Sequence, residues 1–228
     1  MGIANQVMPL IELSLNEAPV KQDIRMAELG SQFMNVTDVY KGPAKAYFEE
    51  QGIIHESFDL DGQFGAVVLD LGEPLPPGSP YLNVYNVLTN FGTTEHVVNH
   101  HVCYQNIHRM CAPGAVMLHA VPAPGNWHHH GRYYYPQTFY AGLAAANDYE
   151  VVMLEGVAHH KHAQRELTCA ILRKRNDAEF MTAADFSALP VTVDEDNPFV
   201  DEFLPRRNLA GRIKRIGTRL FGDEKHKL

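Results

Sequence analysis

Short apolar runs alternate along the chain with longer polar stretches from residue 23 onward. The runs are of strand length, and several alternate apolar with polar positions as half-buried strands do. They lie at residues 24–30, 54–59, 66–70, 81–89 and 115–121. Strands separated by polar stretches of helix length are typical of an α/β fold, in which helices cover a mostly parallel sheet.

Three of the intervening stretches have helix-compatible sequences: residues 44–50, which end before Gly52, residues 97–110 and residues 137–147. Pro113-Gly114 predicts a turn before the fifth strand. Two further strands are expected at residues 149–156 and 167–173, and the polar, histidine-rich segment between them is too short for another long helix. They are therefore expected to pair antiparallel. The sequence predicts an α/β three-layer sandwich with a mostly parallel seven-stranded sheet and an antiparallel last strand.

The chain has 228 residues, which favours one main domain with terminal elaborations. We expect an N-terminal helical segment over residues 1–22, a ligand-binding domain over residues 23–190 and a C-terminal extension over residues 191–228. With 45% hydrophobic residues, the composition provides enough apolar side chains for a core.

Targeting signals are not evident. The first residues lack a basic segment followed by a long apolar run, and no apolar run is long enough to cross a membrane. The cysteines Cys103, Cys111 and Cys169 form neither a close pair nor an even set, which is typical of reduced thiols. We expect a cytoplasmic protein without a transmembrane segment.

Charge is unevenly distributed around a formal net value of −8. Residues 205–228 contain eight basic and two acidic residues, so the rest of the chain is acidic. Leu209, Ile213, Ile216 and Leu220 recur at helical spacing there and predict a basic amphipathic helix. It can pack on the domain, mediate self-association, or dock on an anionic membrane surface or nucleic acid. The acidic body makes a broad nucleic-acid interface unlikely.

Candidate ligand-binding residues follow the predicted strands, where α/β sheets bind ligands. A glycine allows a tight turn and a close backbone approach, whereas a strand-end carboxylate can accept hydrogen bonds from both hydroxyls of a ribose. The strand ends read Glu28-Leu29-Gly30-Ser31-Gln32, Asp59-Leu60, Asp70-Leu71 and Asn90-Phe91-Gly92.

The order of these strand ends resembles the cofactor pocket of class I S-adenosylmethionine-dependent methyltransferases. Residues 90–97 and 111–117 also resemble that family's fourth-strand segment and its Pro-Gly turn into the fifth strand. The resemblance extends from Ile24 to Arg175, and the strings His119–Pro122 and His130–Gln137 resemble a small-molecule-type subgroup. It implies that residues 23–190 form a Rossmann-like domain that binds S-adenosylmethionine.

The resemblance also implies roles for the strand-end residues. Glu28, Gly30, Ser31 and Gln32 would lie beside the amino-acid portion of the cofactor. Asp59, with Leu60, would bind the ribose hydroxyls. Asp70 would meet the adenine amino group and Leu71 would supply the adjoining backbone amide. Asn90, Phe91 and Gly92 correspond to the fourth-strand segment of the pocket.

Histidines are unusually frequent, with thirteen in the chain. As metal ligands, His100, His101, His128, His129, His130 and His159 are available, but among themselves these six form neither an HxxxH nor an HExxH pattern on one helix face. The sequence therefore predicts no metal site. Proton transfer is the favoured use, with His96 the first candidate and His130 and Tyr133 the next.

The leading hypothesis is methyl transfer from S-adenosylmethionine to a small-molecule acceptor. A second is other sulfonium chemistry on the same cofactor, such as cyclisation, elimination or aminocarboxypropyl transfer. A third is a non-catalytic partner protein with this fold, because the first turn holds one glycine, Gly30, where the family commonly has two or three. The aromatic residues between Trp127 and Tyr140 can form either a pocket wall or a core.

Overall fold

The structure is a computed structural model that describes residues 2–159, 162–195 and 197. Within these residues the strands are β1 (Ile3–Ala4), β2 (Arg25–Leu29), β3 (Phe33–Val36), β4 (Tyr40–Pro43), β5 (Ile54–Asp59), β6 (Val67–Val68), β7 (Tyr85–Asn90), β8 (Cys111–Pro122), β9 (Tyr133–Tyr134), β10 (Tyr149–His159), β11 (His162–Lys174) and β12 (Thr192–Val193). The helices are α1 (Met8–Asn16), α2 (Ala44–Glu50), α3 (His100–Met110), α4 (Gln137–Ala146) and α5 (Ala183–Ser187).

A seven-stranded sheet in the order β10-β11-β8-β7-β2-β5-β6 forms the centre of the structure. β2 pairs in parallel with β5 and β7, and β8 continues the parallel set beside β7. β11 pairs antiparallel with both β8 and β10. The predicted mostly parallel sheet with an antiparallel last strand is therefore confirmed.

Both faces of this sheet are buried, because successive side chains of a strand point to opposite faces. Met26 and Val87 face a core that α1 and α2 cover, whereas Ala27 and Leu88 face a core that α3, α4 and α5 cover. The two cores on either side of one sheet give the predicted three-layer sandwich. None of the helices in the described part of the chain is long and apolar enough to cross a membrane.

Several connections differ from the predicted ones. Residues 33–43, for which no element was predicted, form the antiparallel hairpin β3–β4, and β1 pairs in parallel with β3. β5 and β6 are joined through a single 3-10 turn, Gln63–Gly65, because the connection is too short for a helix. The turn predicted at Pro113-Gly114 is a bulge within β8, since Tyr85 pairs with Cys111 while Val87 pairs with Val116.

The histidine-rich segment predicted as a loop is largely part of a long hairpin. β10 and β11 pair as far as His159 and His162, beyond the residues predicted as strand. β10 lies at the edge of the sheet and is mostly half-buried or exposed. The added residues 157–159 are half-buried or exposed, so the hydrophobic pattern alone did not distinguish them from a loop.

The terminal segments extend the central domain. α1 places Leu10 and Ile11 in the core that it covers, so the N-terminal segment packs on the sheet. β12 pairs with β9 near the other end of the described chain. The boundaries predicted after residues 22 and 190 stay predictions, and the basic helix predicted around residues 209–220 lies outside the described residues.

Candidate functional site

A cavity of about 650 Å³ opens at the carboxyl ends of β2, β5, β6 and β7. This is the edge at which open α/β sheets bind ligands. Ten of the residues predicted for the site line the cavity: Gly30, Ser31, Gln32, Asp59, Leu60, Asp70, Leu71, Gly92, His96 and His130. Four others, Glu28, Asn90, Phe91 and Tyr133, are not among its lining residues.

Gly30 ends β2 in a conformation that favours glycine, with φ of +76°. A Cβ atom at this position would lie 2.6 Å from Thr93 Oγ1, which donates a hydrogen bond to Leu29 O at 2.7 Å. The turn therefore lets the chain after β2 approach the chain after β7 closely. Both segments then line the same cavity.

The Asp59 carboxylate at the end of β5 holds the β2 turn in place. Its Oδ2 accepts a hydrogen bond from Ser31 N–H at 2.7 Å, and its Oδ1 accepts one from Leu60 N–H at 2.6 Å. A carboxylate offers about four acceptor positions, so two remain for a ligand. The half-buried carboxylate is thus both fixed in orientation and able to accept hydrogen bonds from a diol.

Asp70 and Leu71 follow β6 on the same side of the cavity. Asp70 Oδ1 accepts a hydrogen bond from Gly72 N–H at 2.8 Å, which closes a tight turn. Leu71 is 5% exposed and joins the core that α3 covers. This turn fixes one polar and one apolar wall of the cavity.

Glu28 lies beneath the cavity floor with 1% of its surface exposed. Its Oε2 accepts a hydrogen bond from Gln32 N–H at 3.1 Å, and its Oε1 lies 3.8 Å from His55 Nε2. Burial raises the pKa of the Glu28 carboxyl. Glu28 therefore supports the turn that carries Gln32 without lining the cavity.

Asn90 anchors the segment that follows β7. Its Oδ1 accepts hydrogen bonds from Thr93 N–H and Thr94 N–H, and its Nδ2 donates to Thr94 Oγ1 at 2.9 Å. The same Nδ2 lies 3.1 Å from His119 Nδ1 on β8. Phe91 is buried in the core that α1 and α2 cover, so of these three predicted residues Gly92 alone lines the cavity.

His96 and His130 approach each other across the cavity wall, one from the segment after β7 and one from the loop after β8. Their ring centroids are 5.3 Å apart. The carboxylate of Glu95 lies between them: its Oε1 is 3.8 Å from His96 Nε2 and 3.5 Å from His130 Nε2. Burial lowers the pKa of His96, which favours the neutral form of its imidazole.

Tyr133 lies beside this group but is half-buried outside the cavity. Its hydroxyl donates a hydrogen bond to Val98 O at 3.1 Å, and its ring stacks on His100 at 4.0 Å between centroids. The neighbouring aromatic side chains are almost fully buried and form core: Trp127, Tyr134, Tyr135, Phe139 and Tyr140.

The histidines considered as metal ligands are dispersed, apart from His130. His100 is buried with Nε2 2.9 Å from the Tyr135 hydroxyl, and His101 Nε2 lies 3.0 Å from Met181 O. His128 is exposed, as is His129, which pairs with Asp194 at 3.6 Å. His159 stacks on His162 at 5.6 Å between centroids.

Sequence reasoning missed Glu95, the carboxylate that joins His96 and His130. It also missed the apolar wall of Val97 and Val98, which lie in the segment before α3. The helix was predicted to start at Val97, but α3 starts at His100, so these residues form an extended segment along the cavity. The adjacent pair Glu95-His96 is the signal that was available in the sequence.

No family model and no curated protein matches the sequence. Solved structures match the fold over about three quarters of the chain. The structure of 1,6-didemethyltoxoflavin-N1-methyltransferase from Burkholderia thailandensis, with bound 1,6-didemethyltoxoflavin and S-adenosylhomocysteine, has a TM-score of 0.55 at 14% identity. The match covers 75% of this chain and 79% of that chain.

Two further structures show the same likeness. The N-methyltransferase NodS from Bradyrhizobium japonicum WM9, in complex with S-adenosylhomocysteine, has a TM-score of 0.50 at 13% identity over 74% of this chain and 85% of that chain. The [4+2]-cyclase SpnF has a TM-score of 0.54 at 12% identity over 73% of this chain and 80% of that chain. Its structural neighbours include class I S-adenosylmethionine-dependent methyltransferases. The chain therefore has the Rossmann-like fold of these neighbours.

Proposed function

We propose that the cavity binds S-adenosylmethionine and that the protein transfers its methyl group to a small-molecule acceptor. The observation that carries the proposal is the convergence of the Gly30 turn, the Asp59 carboxylate and the Asp70–Leu71 turn on one cavity. These are the positions that the family resemblance assigns to the three parts of the cofactor. Two structural neighbours with this fold were crystallised with S-adenosylhomocysteine, which supports the choice of cofactor.

Each part of the cofactor has a proposed partner on the cavity wall. Asp59 accepts hydrogen bonds from the ribose hydroxyls, for which its two remaining acceptor positions are suited. The turn at Gly30, Ser31 and Gln32 receives the amino-acid portion. Asp70 and the Leu71 backbone amide meet the adenine. Glu28, Asn90 and Phe91 act indirectly, by holding the segments that line the cavity.

Small-molecule methylation fits the size and chemistry of the cavity. Its volume of about 650 Å³ lies within the range typical of small-molecule sites. A sulfonium methyl group already has a good leaving group, so alignment with the acceptor and exclusion of water provide most of the rate enhancement. Val97 and Val98 supply an apolar wall for that purpose.

His96 and His130 are the proposed proton acceptors for an acceptor hydroxyl or amine. Both line the cavity, and the lowered pKa of His96 favours the neutral imidazole, the form that accepts a proton. Tyr133 is proposed to act indirectly rather than as a proton acceptor, because its hydroxyl already donates a hydrogen bond to Val98 O. It would position the apolar wall.

A second candidate function is other chemistry at the same cofactor site. The neighbour SpnF is a [4+2]-cyclase, so this fold also supports a reaction other than methyl transfer. Cyclisation, elimination or aminocarboxypropyl transfer from S-adenosylmethionine would release methylthioadenosine. Methyl transfer would release S-adenosylhomocysteine instead.

The two functions are separated by identifying the product nucleoside. The full chain is incubated with S-adenosylmethionine, with and without a mixture of small-molecule acceptors, and the nucleosides are identified by mass spectrometry. Acceptor-dependent S-adenosylhomocysteine supports methyl transfer, whereas methylthioadenosine supports the second candidate. Neither product from a protein that binds the cofactor would contradict both and favour a non-catalytic partner protein.

A further inference from the structure

Glu95 is a fully buried carboxylate, 0% exposed, that contacts two residues of the cavity lining, His96 and His130. Neither of its oxygens accepts a hydrogen bond from the described residues. Within that part of the chain no lysine or arginine forms an ion pair with it, and its charged contacts are the imidazoles of His96 and His130. Burying a carboxylate without hydrogen bonds lowers the stability of the folded protein by roughly several kcal/mol, unless a cation or a proton compensates the charge.

The two histidines point ring nitrogens at the same carboxylate oxygen. The distances of 3.8 Å from His96 Nε2 and 3.5 Å from His130 Nε2 to Glu95 Oε1 are too long for hydrogen bonds. His130 Nε2 is itself buried without a hydrogen-bond partner in the described structure. Three potential ligand atoms therefore converge without bonding to one another.

These separations are close to those of a metal coordination sphere. One ligand atom from each of Glu95, His96 and His130 lies within 4.8 Å of the others. In a tetrahedral zinc site with bonds of about 2.1 Å, ligand atoms are about 3.4 Å apart. The two histidine-to-carboxylate separations of 3.8 and 3.5 Å are close to this value.

The backbone around the three residues is also arranged for close approach. A Cβ at Gly131 would lie 2.7 Å from Glu95 Cγ, so only glycine lets the loop that carries His130 pack directly on Glu95. Arg132 N–H donates a hydrogen bond to Glu95 O at 2.8 Å and fixes the same loop. The convergence is thus built by contacts between two loops.

We propose that Glu95, His96 and His130 form a binding site for a divalent transition-metal ion such as Zn²⁺, with an open coordination position toward the cavity. Two histidines and a carboxylate are a ligand set that such ions prefer. His96 and His130 line the cavity, so the open position would face bound molecules there. This proposal departs from the sequence prediction of no metal site.

The metal site has a consequence for the proposed chemistry. With the ion in place, His96 and His130 are ligands and do not act as bases. The positive charge of the ion would lower the pKa of a hydroxyl or water at the open position. An acceptor hydroxyl bound there would therefore lose its proton to solvent more readily, without a histidine base. The site itself does not depend on which cofactor fills the rest of the cavity.

Metal binding to the purified full chain tests the proposal. The metal-free protein is titrated with Zn²⁺ and, separately, with Co²⁺, whose visible absorption reports a low-coordinate site. We expect about one equivalent to bind tightly and to raise the Co²⁺ absorption. Glu95→Gln and His130→Asn should each weaken this binding by more than about 100-fold, beyond the loss typical when a residue that only hydrogen-bonds to a ligand is replaced.

The matched control is His128→Asn, an exposed histidine in the same loop, which should leave tight binding unchanged. The proposal is overturned if the wild-type chain binds no tight equivalent, if Glu95→Gln and His130→Asn bind as the wild type does, or if His128→Asn weakens binding equally. If Glu95→Gln does not fold, the half-buried His130→Asn decides. Titration with S-adenosylmethionine in the presence of a chelator separately shows whether the cofactor proposal stands.

Discussion

At the scale of single residues, the Asp59 carboxylate has two functions. Its carboxylate holds the backbone of Ser31 and Leu60, and its remaining acceptor positions are proposed to bind the ribose. Glu28, which the sequence places at the same kind of strand end, is buried beneath the cavity. β2 pairs with longer strands on both sides, β5 and β7, whereas the outer neighbour of β5 is the two-residue strand β6.

Replacing Asp59 with alanine should weaken S-adenosylmethionine binding by about 1.5–3 kcal/mol, the usual value of hydrogen bonds to a charged acceptor. Isothermal titration of the folded variant measures the loss. Asp61→Ala is the matched control, because Asp61 lies two residues further on and its Oδ1 already accepts a hydrogen bond from Gln63 N–H. Equal affinity in Asp59→Ala and the wild type would place the ribose elsewhere, with Asp61 the next candidate.

His96→Ala should lower turnover by about 10²–10⁴-fold while leaving cofactor affinity nearly unchanged, as for the loss of a general base. The same direction is expected if His96 is a metal ligand, and metal content separates the two roles. Rate and affinity are both measured on the folded variant beside His128→Ala. A normal rate would remove His96 from the catalytic residues.

At the scale of elements, the segment between β7 and α3 is central to the site. It carries Gly92, Glu95, His96 and the apolar wall, and Asn90 ties its first turn to β8 through His119. The geometry of the site therefore depends on hydrogen bonds of a residue that does not line the cavity.

Asn90→Ala should lower the free energy of unfolding by about 1–3 kcal/mol, because it leaves buried backbone N–H groups of Thr93 and Thr94 unpaired. Urea denaturation measures the change. Asn126→Ala is the control: its exposed amide donates to Gln164 O, and surface changes usually stay within about 0.5 kcal/mol. Equal stability of the two variants would mean that the Asn90 network contributes little.

Hydrophobic pattern predicted the buried central elements well and the peripheral ones poorly. β2, β7 and β8 are buried on both faces, so their sequences are apolar runs that can be read directly. The hairpin β3–β4 was missed because Phe33 and Lys41 are exposed and leave a weak alternation. The antiparallel pair of β10 and β11 was predicted, but its extension to His159 and His162 was missed because the added residues of β10 are half-buried or exposed.

At the scale of the whole molecule, three buried histidines make stability depend on pH. Burial lowers the pKa of His100 and His119 to about 3 and that of His108 to about 4. The unfolded imidazoles titrate near about 6.5, so below that pH the unfolded chain binds more protons than the folded one. The free energy of unfolding is therefore unaffected by the titration of these histidines above a pH of roughly 6.5, and it decreases as the pH falls below this value.

Each of these histidines should therefore remove about 1.4 kcal/mol of stability per pH unit below about 6.5. The raised pKa of Glu28 changes the stability in the opposite direction, but the three histidines together outweigh this single carboxyl group. Urea denaturation between neutral and mildly acidic pH measures the slope, and His119→Gln should reduce it. Stability that is constant or rises with acid over this range would contradict the burial of neutral histidines.

The candidate site was only partly accessible from the sequence. Strand ends such as Asp59 and Asp70 could be predicted because parallel strands place their carboxyl ends at one edge. The triad of Glu95, His96 and His130 could not, because His130 comes from a loop after β8 whose path depends on the contact of Gly131 with Glu95. Spacing along one chain does not reveal such a contact between two loops.

The central claim is that the cavity at the ends of β2, β5, β6 and β7 binds S-adenosylmethionine. Isothermal titration of the full chain with S-adenosylmethionine tests it most directly. The account predicts saturable binding with a stoichiometry of about one per chain, as expected for a single pocket at the sheet edge. A folded protein that shows no saturable binding of this cofactor would contradict it.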